Sequence, residues 1–149
     1  RSTYNARSET AYEKPSFRHA WRRGQFCIIP ADVIYEPNYE TGSAVRWAIR
    51  DAGGRALGIA GIWESRAASN GIQYSFSMLT INADDHPLMK RMHKPGEEKR
   101  MVVILEPGSY DEWLQVKPEH ATTWLTQFPA GRLVAEPAPR GATRQAALI

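Results

Sequence analysis

With 149 residues, one cysteine and a net charge of +3, the chain has the size of a single domain that can bury a core without disulfides. No apolar run reaches the roughly eighteen residues needed for a membrane-spanning helix, no Cys/His spacing resembles a zinc site, and Cys27 has no partner for an internal disulfide, which favours a reducing setting. The mildly basic balance suits an acidic partner such as nucleic acid without specifying one.

The chain opens at Arg1 with no signal-peptide pattern, so it is expected to be the remainder of a longer protein, read here as one domain over residues 1–149. Its first ten residues are polar. Asn5, Arg7 and Glu9 alternate as on one side of an extended segment, a face that can offer a carboxamide and a guanidinium to a phosphate. Lys14 to Arg23 follows as a short helix that begins near Pro15 and Ser16 and is ended by Gly24, with Phe17 and Trp21 inward. Arg18, Arg22 and Arg23 are left mostly outside, either as a solvated basic face or as phosphate contacts.

Phe26 to Ile29 and Val33 to Glu36 read as two apolar strands joined by a corner at Pro30, Ala31 and Asp32. If Val33 and Tyr35 share one face, Ile34 and Glu36 take the other, with Pro37 ending the strand. That puts a carboxylate on the apolar edge of a sheet. Burial raises a carboxyl pKa, so Glu36 is a candidate acid/base; a solvated strand-end glutamate is the plainer alternative.

Val45 to Arg50 alternates as a half-buried strand, Asp51 to Arg55 is a turn, and Ala56 to Trp63 returns as a strand. Glu64 to Gly71 is expected to be a loop, after which Tyr74 to Leu79 alternates again. This pattern predicts an α+β fold, a curled antiparallel sheet or β-barrel-like core with peripheral short helices. Ala83 to Met92 is predicted as a short helix capped by Asn82 or Asp84, with Pro87 in its first turn. Arg100 to Leu105 is another strand. Pro107 to Val116 and Pro118 to Phe128 read as helices anchored by Trp113, Leu114, Trp124 and Leu125. The tail from Pro129 is expected to be an irregular wrap or a loose end.

Chemistry is sought at three places: Asn5 with Arg7, Glu36, and His93. His93 follows the predicted helix, whose negative end would favour an imidazolium able to donate to a developing hydroxyl. An ordinary exposed histidine is the alternative. Asp84, Asp85 and His86 suggest a metal, but adjacent ligands on a short helix diverge, so no metal site is predicted. Cys27 sits between Phe26 and Ile28, where an apolar neighbourhood makes a thiol inert.

Asn5-Ala-Arg7-Ser-Glu9-Thr10, Phe17-Arg18, Cys27-Ile-Ile-Pro-Ala-Asp32 with Tyr35-Glu36, Ala60-Gly-Ile-Trp-Glu64, Thr80 leading to His93, Arg100-Met101 through Leu105, and Tyr110 to Leu114 together resemble the SRAP family, the SOS-response-associated peptidases. The resemblance implies a β-barrel-like core and a protein that recognises abasic sites in single-stranded DNA. It implies bonding to the lesion through a cysteine exposed by autoproteolysis at the chain start, with peptidase and lyase-type activity. An α-amine and a neighbouring thiol can condense with the ring-opened sugar aldehyde to a thiazolidine. Carried over by position, Glu36 becomes the acid/base, His93 the group that handles the sugar hydroxyl or opens its ring, and Asn5 the group that orients the amine and lesion. Arg7 would pair with a flanking phosphate. Arg18 and Arg22 are proposed as DNA contacts from charge alone.

No cofactor, no membrane association and a monomer are expected, with a cytoplasmic, nucleoid-associated location if the source is bacterial or phage. Two departures are visible: Pro37 stands where many members carry tryptophan, and the usual His-x-Arg-Met-Pro is lengthened between His93 and Arg100. The nucleophilic cysteine has no counterpart in these residues, Cys27 belonging to another block. A noncovalent single-strand binding module using Trp21 and Trp63 is the alternative function, and a peptidase acting on other proteins a third.

Overall fold

The computed structural model describes residues 3–140. The longest local pattern makes its longest element. β5 (Leu57–Ala68) and β6 (Gly71–Asn82) pair antiparallel from Gly61↔Met78 to Ala68↔Gly71, turning through two residues into Gly71, whose φ of 122° admits only glycine comfortably. The expected loop from Glu64 to Gly71 is therefore the outer half of a hairpin. It reads as a loop because this half projects from the core and carries no apolar alternation to mark it.

β2 (Phe26–Ala31) pairs with β5 from Phe26↔Ile62 to Ala31↔Leu57. Pro30 lies inside this strand, contrary to the expected corner; β2 is an edge, where a missing N–H interrupts no ladder. β1 (Asn5–Arg7) runs parallel to β6 on the opposite edge, with Arg7↔Thr80 in register, so the sheet is mixed and not purely antiparallel. The extended alternation ends at Arg7, and a single helical turn, α1 (Ser8–Ala11), follows.

β5 and β6 part beyond Gly61 and Met78, and residues 100–105 enter the fork. β7 (Arg100–Val102) pairs with β6 and β8 (Ile104–Leu105) with β5. Between them Val103 donates to the Leu79 carbonyl at 2.9 Å, and its own carbonyl accepts from Ala60 at 2.8 Å. Residues flanked by strands on both sides are apolar at every position, and Met101 through Leu105 are all buried. The insertion gives the sheet a half-barrel curl. At the fork Gly61 is required: a Cβ there would meet the Ser77 carbonyl at 2.9 Å and the Ile29 side chain.

α2 (Arg18–Arg22), ended by Gly24 at φ 62°, and α3 (Tyr110–Gln115) close one side of the sheet. Trp21 meets Phe26 edge-on at 5.4 Å, Phe26 meets Trp113 at 4.8 Å, and the Trp113 indole donates to the Cys27 carbonyl at 2.9 Å. α3 is too short to bury two adjacent side chains, so Leu114 is 47 % exposed and not an anchor. The second expected helix is a 3-10 segment, Pro118–Trp124.

After Ala31 the chain leaves for a second sheet, ordered β3 (Ile34–Asn38), β4 (Val45–Asp51), β9 (Leu133–Pro137). The tail is thus partly a strand, with Leu133 buried against Asp51; residues 141–149 lie outside the described residues. β3 also runs through Pro37 to Asn38 instead of ending at the proline.

Candidate active site

Glu36 and His93 face each other where β3 meets the segment before β7. Ile34, Glu36 and Asn38 point inward while Tyr35 stays exposed, as period-2 geometry requires. The partner segment is not the helix expected over Ala83 to Met92 but a loop ending in one 3-10 turn, Met89–Arg91. His86 explains the change. Its Nδ1 accepts from the Leu88 and Met89 N–H groups at 3.3 and 3.0 Å, replacing bonds a helix would make to its own carbonyls, and Nε2 donates to the Phe128 carbonyl at 2.8 Å. His86 is buried and fully used in this way, as a structural and not a metal-ligating side chain. Without a helix there is no macrodipole behind His93, and that argument for its role falls.

Three other contacts position His93. Its N–H donates to the Pro37 carbonyl at 2.6 Å, and buried Asn38 donates through Nδ2 to the Arg91 carbonyl at 3.0 Å while bridging Met92. Its ring Nε2 donates to the Arg100 carbonyl at 2.9 Å. These bonds hold His93 at φ 61°, the left-handed region, where a non-glycine residue costs about 1–2 kcal/mol. Among the described residues no other non-glycine has positive φ.

In that pose Nε2 lies 3.6 Å from Glu36 Oε2, and the two side chains are only 24 % and 18 % exposed. Burial pushes the Glu36 carboxyl above its ordinary range, and a positive charge on His93 pulls the other way. No hydrogen bond to the Glu36 carboxylate occurs among the described residues. With its Nε2–H held by the Arg100 carbonyl, the imidazole does not take the Glu36 proton through this nitrogen; a desolvated carboxyl is instead placed to exchange a proton with a bound group.

Arg100, whose carbonyl holds the His93 ring, belongs through its side chain to a charged cluster. The Arg100 guanidinium is held by Glu9 through two bonds of 2.9 Å, by the Thr80 carbonyl at 2.6 Å and by Glu98 at 2.8 Å. Arg7 Nη1 donates to the other Glu98 oxygen at 2.5 Å. Hydrogen bonds from Arg100, Arg7 and Asn82 hold the Glu98 carboxyl down at about 2.

Of the residues singled out in the sequence, Glu36 and His93 are brought together, and Arg7 joins the cluster around Arg100. Asn5 is exposed two positions before Arg7 on β1; with Arg7, Thr10, Lys14 and Phe17 it borders a cavity of about 210 Å³, but among the described residues it makes no hydrogen bond to Glu36 or His93. Arg18 and Arg22 lie on α2, which packs against β5, and neither forms an ion pair with the cluster; Arg18 is half-buried with an unpartnered Nε. Trp21 is buried and cannot stack on a base, whereas Trp63 is half-buried beside Tyr74 at 6.0 Å. Burial pushes the Cys27 thiol up to about 11, in keeping with an unreactive side chain. A larger cavity of about 520 Å³ borders Tyr35, Glu36, Pro37 and Arg46 but does not include His93.

Sequence reasoning missed Asn38, Glu98 and the double role of Arg100. The one signal for Arg100 was a charge heading an otherwise apolar run. No helix among the described residues is long and apolar enough to cross a membrane.

A family model described as SOS response associated peptidase (SRAP) matches residues 1–141. The chain is similar to two abasic site processing proteins of Bacillus subtilis, YobE at 32 % identity and YoaM at 30 %, each alignment covering 85 % of this chain and 56 % and 54 % of theirs. It thus spans about half the length of the curated relatives it matches. A solved structure from Bordetella bronchiseptica is 49 % identical with a TM-score of 0.87, covering 90 % of this chain and 64 % of that one. Another, from Bacteroides thetaiotaomicron, shares the fold at 24 % identity and a TM-score of 0.80, covering 93 % and 59 %.

Proposed function

Since the chain belongs to the SRAP family, we propose that it supplies the acid/base centre of an abasic-site-processing protein that forms a covalent adduct with single-stranded DNA and acts as a monomer. The observation that carries this reading is the half-buried Glu36–His93 pair, 3.6 Å apart, with Glu36 bordering a cavity of about 520 Å³ that Arg46 also lines. The names of the Bacillus relatives supply the substrate class.

The reaction needs an aldehyde, an amine and a thiol. The closed abasic sugar must open, which moves a proton from its anomeric hydroxyl to the ring oxygen; His93 is suited to deliver it. A cysteine α-amine then adds to the aldehyde carbon, and loss of water gives a Schiff base. The thiol adds to that carbon and closes a thiazolidine, so one water leaves for each adduct formed. The reading assigns amine and thiol to a chain start that these residues do not contain, with peptide cleavage ahead of that cysteine generating the amine. Glu36, its carboxyl raised by burial, takes the ammonium proton and returns a proton to the departing hydroxyl. Arg7 pairs with a phosphate beside the lesion, and Asn5, on the same strand, orients the lesion.

The test uses the natural full-length protein with a single-stranded oligonucleotide carrying one abasic site, run on a denaturing gel. An adduct that survives denaturation and is absent with the intact strand is the expected result. Equal, fully reversible binding of both strands would instead establish a noncovalent module.

A further inference from the structure

We propose that Glu98 is a built-in phosphate mimic: it occupies the donors of Arg7, read above as a phosphate contact, and of Arg100, and a DNA backbone must displace it. The proposal rests on the reading above that the Glu36–His93 pair works on a DNA strand, and it adds a gate to that site.

The geometry is that of an anion site with its ligand in place. Three donors from three strands converge on one carboxylate: Arg7 Nη1 from β1 at 2.5 Å, Arg100 Nη1 from β7 at 2.8 Å, and Asn82 Nδ2 from the end of β6 at 3.3 Å. The donors sit on hydrogen-bonded strands. The acceptor arrives on the exposed loop 94–98, which turns at Gly96 with φ 80°. A phosphodiester offers the same pair of acceptor oxygens to guanidinium donors as a carboxylate does.

Glu98 is not needed to hold its own loop. The Lys99 N–H donates to Asp84 at 2.7 Å, and its ammonium donates to the carbonyls of His93 and Lys94 at 3.1 and 2.9 Å. Nor is it needed to hold Arg100, which keeps Glu9 and Thr80. Arg7 and Arg100 balance Glu9 and Glu98, and the neighbouring Asp84, which accepts from Asn82 at 2.9 Å, is balanced by Lys99; with Glu98 swung away the cluster gains one positive charge. Arg7, 58 % exposed, is open to the DNA strand. The subsite is also in the right place, because the carbonyl of Arg100 is the group that holds His93 at 2.9 Å. A phosphate bound there would flank a sugar presented to Glu36 and His93.

The experiment is fluorescence anisotropy of the full-length protein with a labelled, intact single-stranded oligonucleotide over a salt series. Wild type is compared with Glu98→Gln, Glu97→Gln, Arg7→Ala and the double variant Arg7→Ala/Glu98→Gln. Glu97→Gln removes the same charge from the same loop without touching the cluster. Glu98→Gln is expected to bind about fivefold to tenfold more tightly at low salt, with a log–log salt slope steeper by about one; Glu97→Gln should change affinity by less than about twofold. The gain should vanish in the Arg7→Ala background. Equal behaviour of Glu98→Gln and Glu97→Gln, weaker binding by Glu98→Gln, or a gain that persists without Arg7 would overturn the gate and leave the adduct chemistry standing. Failure of every variant to bind any strand would overturn both.

Discussion

Glu36 and Glu98 both face a basic partner, and their carboxyls move in opposite directions. Glu36 lies mid-strand in β3 with one imidazole at 3.6 Å and is raised by burial; Glu98 lies on a loop beneath two guanidiniums and an amide and is held down at about 2. Solvation decides the difference. A carboxylate that keeps water and gains strong donors stays ionised, whereas one that loses water without gaining donors becomes a proton carrier. In the proposed reading the proton-transfer pair and the anion subsite lie within a single residue's reach, because Arg100 touches His93 through its carbonyl and Glu98 through its side chain.

The largest effect that would sharpen this contrast is on chemistry. Glu36→Gln should slow adduct formation at saturating DNA by about a hundredfold or more, in the range typical of losing a general acid/base. Glu98→Gln should leave that saturated rate within about twofold, since it acts on binding. His93→Asn should slow the rate comparably while preserving the fold, because asparagine tolerates the left-handed backbone that His93 occupies at φ 61°. Quenched-flow sampling on denaturing gels measures all three.

Next comes the scaffold beneath the pair. His86→Phe puts a somewhat larger ring without nitrogens in the buried site and strands two N–H groups and the Phe128 carbonyl, which should cost at least about 2–3 kcal/mol in urea unfolding and slow the adduct as His93 loosens. Unchanged stability would break the claim that this histidine builds the turn.

The smallest effect is the pH dependence of stability, where the two glutamates should have opposite signs. The folded Glu36 carboxyl is raised, so its contribution is fully present below the unfolded value of 4.5 and is lost as pH rises through the folded value. Glu36→Gln should therefore gain Tm relative to wild type as pH rises from 4.5 up to the folded value, and hold that gain above it. The folded Glu98 carboxyl is lowered, so its contribution is present above 4.5 and is lost as pH falls towards about 2. Glu98→Gln should be slightly less stable than wild type at neutral pH and equal to it near pH 2. Parallel curves for the two variants would undo the comparison.

Much of this was legible locally. The alternation of Ile34, Tyr35 and Glu36 predicts an inward acid, and the break after Leu105 and the turn at Asp51 to Arg55 are where punctuation residues put them. The second sheet was not legible, because β9 pairs with β4 across more than 80 residues and alternates for only one repeat. His93 is legible from its match to the family pattern, whereas the helix placed before it does not form; what holds it is Pro37, Asn38 and Arg100, contacts between segments that no local periodicity reports. Glu98 looked like one more charge in a polar loop, and its meaning comes only from the two arginines that fold places around it.

The central claim, that the Glu36–His93 pair carries the proton transfers of abasic-site adduct formation, is tested most directly by the pH–rate profile of single-turnover adduct formation for wild type and Glu36→Gln. The account predicts that the wild-type rate rises with pH through an apparent pKa above the ordinary glutamate value of 4.5 and that this limb disappears in the variant. Superimposable profiles with equal rates would contradict it.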